Sequence, residues 1–94
     1  MPKLTEFEET FIRATTLLDD PNAPALRSEI ASHLDTMIDY AADDDQRRIA
    51  LQFKALALNH VDSIGRDRPD VTETKRIRAL EYSRQVTFSI ESRR

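Results

Sequence analysis

His33 and His60 are the only imidazoles in this 94-residue sequence, so a general base or an imidazole metal ligand has to be one of them. Glu29, Thr36 and Tyr40 stand at i−4, i+3 and i+7 of His33, which puts all four in line on one flank of a helix. Glu29 and His33 at that spacing can share a proton or a metal ion, but a local ion pair on a helix flank needs nothing more from the sequence and is the expectation. His60 falls at the same helical angle as Ile49, Phe53 and Leu56, close before Gly65. A core histidine near a helix C-terminus is expected there, with desolvation lowering its pKa and the helix dipole raising it. If the chain turns near Asp43, His60 lies about 10 Å further along the helix axis than the residues facing His33, so the two cannot share a metal within one subunit.

Other chemistry is sparse. There is no cysteine, which excludes disulfides, thiolate nucleophiles and thiolate metal sites. Asp43-Asp44-Asp45 lacks the long ligand spacing and turn glycine of a calcium loop, and helix capping accounts for it. No phosphate-cradling glycine loop, nucleophile elbow or zinc-protease helix is present. The lysine and glycine that follow the histidine of a phosphotransfer helix at the third and fourth positions are missing too: Thr36 and Met37 follow His33, and Ser63 and Ile64 follow His60. No enzyme, metal or cofactor is expected.

Charge is distributed unevenly. The net charge of −3 is the sum of −8 over residues 1–46 and +5 over residues 47–94. Such asymmetry holds antiparallel helices together, sets the register of a dimer, or marks one end for an anionic partner. Arg66, Arg68, Lys75, Arg76 and Arg78 cluster late in the chain and are the candidate nucleic-acid contacts. Asp67, Asp70 and Glu73 interleave with them, and no helix-turn-helix glycine turn accompanies them, so nucleic acid ranks behind a protein partner.

The elements that must position these residues are helices. With a single glycine the chain offers few tight turns for β-hairpins. Gln46 to Gly65 is the organising stretch: Ile49, Phe53, Leu56, Ala57, Val61 and Ile64 form a broad apolar arc, and Leu51, Ala55 and Leu58 form a second, narrower one. Two arcs call for two neighbours. Thr5 with Glu8, Asp43 with Gln46, and Asp70 with Glu73 have capping-box spacing and mark three helix starts. The run Asp19-Asp20-Pro21-Asn22-Ala23-Pro24 ends the first helix and opens the next, and Gly65 supplies a left-handed residue at the end of the third. An all-α, antiparallel four-helix domain over residues 1–94 is expected, with helices near 5–18, 24–42, 44–64 and 71–86.

Residues 85–91 read two ways. Ala79, Tyr82, Val86 and Ile90 share a helical face, while Val86, Phe88 and Ile90 also alternate as in a strand, and their β-branched neighbours favour that alternative. Either way, Leu51, Ala55, Leu58, Tyr82, Val86, Phe88 and Ile90 exceed what a small core needs, and a self-association surface is expected of them. The expected function is a non-catalytic protein-interaction module, a homodimeric adaptor, chaperone-like or inhibitory protein; a nucleic-acid-binding regulator is the alternative. MPKLTEFEE has no apolar segment, so no secretory signal, no membrane anchorage and a cytoplasmic location are the expectations.

Overall fold

A computed structural model describes residues 4–93. Four helices form: α1 (Glu6–Leu18), α2 (Arg27–Asp39), α3 (Asp44–Ser63) and α4 (Pro69–Glu91). Two of the three capping signals act as their chemistry requires. Thr5 Oγ1 accepts from the Glu8 backbone N–H at 3.1 Å, and Asp43 Oδ1 accepts from Gln46 N–H at 2.8 Å. The Gln46 side chain reaches back one residue further than in a standard box, its Oε1 accepting from Ala42 N–H at 2.7 Å. Gly65 carries the one positive φ, 77°, among the described residues, and the turn it makes is tied by Arg66 and Asp67 N–H donating to the Ser63 carbonyl.

The remaining boundaries differ from expectation. The stretch expected as one helix over 24–42 splits into a 3₁₀ turn, Ala23–Leu26, and α2, because the proline-opened turn first closes i→i+3 bonds such as Ala25 N–H to Asn22 O. The third box is not used. Pro69 takes the first helical position of α4, where its missing N–H costs nothing, so Asp70 lies inside the helix and pairs with Arg68 instead of capping. At the other end α4 runs on to Glu91, five residues past the expected 86, and the described residues contain no strand. Val86, Ser89 and Ile90 turn inward at helical spacing, and their packing outweighs the weak helix propensity of Val86, Thr87 and Ile90.

The helices run antiparallel in chain order, and ion pairs and side-chain hydrogen bonds fix their register. Lys54 meets Asp35 and Arg27 meets Asp62 across α2 and α3; Gln46 meets Ser89 and Ser63 meets Thr72 across α3 and α4. The negative first half and positive second half are thus stitched only in part by charge, through Lys54–Asp35 and Arg93–Asp43. The core is apolar: Phe7, Phe11, Ile30, Leu34, Met37, Ala50, Phe53, Val61 and Val86 are buried together, with Phe11 edge-on to Phe53 at 5.6 Å. None of the helices among the described residues is long and apolar enough to cross a membrane.

Candidate functional site

The α3 arcs find their neighbours on opposite flanks. Leu51, Ala55, Leu58 and Asp62 share one line, and the Arg27–Asp62 pair places that line beside the 3₁₀ turn and α2. Ile49, by contrast, lies with Phe88 in one recess on the α4 side. The expected seam is therefore not a single patch. Leu58 is half-buried against the core, and Leu51 (49% exposed) and Ala55 are left on the surface.

On α4 the correction is sharper. Val86 is fully buried, and Tyr82 and Ile90 pack half-buried against the core, so of the four residues expected at the seam there only Phe88 faces outward. It is 71% exposed. The outward apolar residues that go with it are Ile77, 46% exposed, and Leu80, neither of which was nominated from sequence. At 100° per residue, Ile77, Glu81, Arg84 and Phe88 stack in one line along the outer face of α4, with Leu80 at its edge. This 4-3-4 spacing is the repeat of a helix-pairing stripe, but its middle two positions are charged. Glu81 and Arg84 form no ion pair with any described residue.

The basic loop is largely neutralised in place. Arg66 and Lys75 both meet Asp67, at 3.4 and 3.0 Å; Arg68 meets Asp70 at 3.4 Å; and Arg76 clamps Glu73 with two hydrogen bonds of 2.9 and 2.7 Å. Arg78 is the one member of the five without an acidic partner among the described residues. Hydrogen bonds from Lys75, Arg66 and Ser63 hold the Asp67 carboxyl well below the usual carboxylate range. A surface of this kind offers little uncompensated charge for phosphates.

Glu29 and His33 do line one shallow recess, together with Ile12 and Arg13 of α1. Tyr40 is elsewhere, at the end of α2 against Thr5, Phe7 and Ile90, so the three residues do not converge. Asp43 is spent on its cap and on Arg93, and Asp45 on Arg48. No group of three His, Asp or Glu among the described residues is placed to hold a metal.

His60 is where sequence placed it, in the core near the end of α3, and only 7% exposed. Burial lowers its pKa, the hydrogen bond to the Thr72 backbone opposes that, and the nearby Arg76 lowers it further while Glu73 and Asp19 raise it. The net direction is down, so the dipole at this helix end does not prevail. No protein-family model, curated protein or solved structure matches this chain.

Proposed function

We propose that this chain is a non-catalytic protein-interaction domain that works as a homodimer, paired two-fold through the outer face of α4. The observation that carries this is the pattern Ile77, Glu81, Arg84, Phe88, a stripe that is self-complementary when a second copy is laid across it antiparallel. With the two-fold axis passing between positions 82 and 83, Ile77 of one copy faces Phe88 of the other. Glu81 then faces Arg84, twice by symmetry. Glu81 and Arg84, which form no ion pair with a described residue of their own chain, would find partners across the pair, and the two exposed apolar side chains would cover each other.

The pairing is expected to be weak. Burying Ile77 and Phe88 is worth at most roughly 1.5–3 kcal/mol per side chain, so four of them only about match an association cost of roughly 4–15 kcal/mol. A concentration-dependent dimer in the micromolar range or weaker follows.

Light scattering on wild type, Glu81→Arg, Arg84→Glu and an equimolar mixture of the two variants tests the register itself. Either charge reversal alone sets like charges against each other twice and is expected to give a folded monomer. Mixing the two restores both ion pairs and is expected to restore the dimer. A wild type that stays monomeric up to millimolar concentration, or variants that dimerise as well as wild type, would end this reading; loss of dimer with Leu51→Glu instead would move the seam to α3. Nucleic-acid binding through Arg66, Arg68, Lys75, Arg76 and Arg78 is the alternative, recognisable by retardation of DNA or RNA that weakens steeply with salt. The acid partners of four of those residues weigh against it.

A further inference from the structure

Over its first ten residues, Pro69 to Arg78, α4 buries no apolar side chain: Val71 and Ile77 are both exposed, and the first buried residue of the helix is Ala79. What ties this segment to α3 is polar. The Thr72 and Ser63 hydroxyls share a hydrogen bond of 2.7 Å, Ser63 Oγ donates to Asp67 at 2.8 Å, and Lys75 reaches the same carboxylate at 3.0 Å. Beyond Ala79 the attachment changes, with Val86 fully buried, Tyr82 and Ile90 packed on the core and Ser89 bonded to Gln46. Segments with few buried apolar contacts open at a free energy below that of the whole fold. α1 lends little support from the other side, because it hardly touches α4 and a cavity of about 120 Å³ lies between them.

His60 lies against this segment, its ring bonded to the Thr72 backbone, and it is one of the residues lining the cavity. Its Nδ1 is buried and has no hydrogen-bond partner among the described residues. An imidazolium carries an N–H at both nitrogens. Whichever nitrogen takes the added proton, the cation therefore has a buried donor at Nδ1 with no acceptor, beyond the cost of burying its charge. The charged neighbours do not make this good. Glu73 and Arg76 of α4 clamp each other, and Asp19 at the end of α1 acts on the ring only through its charge. Asp62 on α3 is taken by Arg27 at the start of α2, and Asp67 in the loop is taken by Ser63, Arg66 and Lys75. The packed arrangement accommodates the neutral ring and penalises the cation.

We propose that the first half of α4 is an acid-released flap: when His60 takes up a proton, Pro69 to Arg78 loosens from α3 and frays back to Ala79, while Ala79 to Glu91 stays docked. Release lets water reach the ring, and with it the side chains of Phe11, Leu18 and Phe53 that line the same cavity. The device works within one chain and does not depend on pairing through α4.

Amide hydrogen exchange, corrected for its intrinsic pH dependence, tests this in wild type and His60→Leu at about pH 7.5 and about pH 5.5, either side of the ordinary histidine value. The protein is kept at sub-micromolar concentration, so that pairing contributes no protection. Asp67 and Glu73, both held below the usual carboxylate range, stay ionised throughout. Protection of Thr72 to Arg78 is expected to fall at least about threefold on acidification in wild type, against a ceiling of about tenfold per pH unit. Protection of residues 83–91 is expected to hold, and His60→Leu is expected to show no pH response in the flap. A fall shared equally by all four helices, an unchanged flap, or the same response in His60→Leu would each overturn the proposal. Should His60→Leu fail to fold, the wild-type imidazole shifts decide: the flap must lose protection with the midpoint of His60, and loss that follows His33 or neither ring would end the reading.

Discussion

The two ends of the α3/α4 hairpin solve the same problem differently. At one end a buried amide, Gln46, faces a buried hydroxyl, Ser89: Gln46 accepts from Ala42 N–H, donates to Ser89 Oγ at 3.2 Å, and Ser89 passes its own proton to the Val86 carbonyl at 2.7 Å. Arg93 closes this end, donating to the Ser89 carbonyl at 2.8 Å and pairing with Asp43. At the other end His60 is buried almost as deeply, yet its Nδ1 has no hydrogen-bond partner among the described residues. A polar group that serves the fold is satisfied by the fold.

Breaking the closed end is expected to have the largest effect. Gln46→Ala strands the Ala42 N–H and takes a partner from Ser89, and urea unfolding should show a loss of about 2–3 kcal/mol. The open end responds to pH. Because the folded His60 has a pKa below its ordinary value of 6.5, the unfolded chain binds a proton that the folded chain refuses. Stability is therefore fully present above about pH 6.5 and falls as pH drops, by at most about 1.4 kcal/mol per unit, until the folded pKa is passed. Asp19, Glu73 and Arg76 surround the ring. The lowered carboxyls of Asp43, Asp62, Asp67 and Glu73 lose their contributions only below the ordinary carboxylate values of 3.8 and 4.5, so the two windows separate in a pH series of urea melts. The smallest effect sharpens the contrast most. His60→Leu removes an unpaired polar atom along with the Thr72 bond, and is expected to change stability at pH 7.5 by less than about 1 kcal/mol. That variant should also lose the pH 6.5 slope.

Sequence reading succeeded where one local signal decides a local structure. Thr5 and Asp43 cap because a short acceptor side chain precedes the first free N–H groups, and Gly65 turns because only glycine is at ease at φ 77°. His60 was legible as a core residue by its angle on the α3 arc. The outer stripe of α4 was not, because that helix carries apolar residues on two sides and periodicity does not say which side meets a neighbour. Ala79, Tyr82, Val86 and Ile90 were the inner face and Ile77, Leu80 and Phe88 the outer, so Val86, Tyr82 and Ile90 were assigned to the wrong side. The hydrogen bond between Gln46 and Ser89, 43 positions apart, and the gap between α1 and α4 depend on how helices are stacked, and no local spacing encodes either.

The thin contact between α1 and α4 also bears on how the chain reaches its native state. Each helix packs chiefly on its neighbours in sequence, so most native contacts span short loops and little closure entropy stands between the first turn of helix and the finished hairpins. Folding is then expected on the fast side, microseconds to milliseconds, with two hairpins that form independently and meet along α2 and α3.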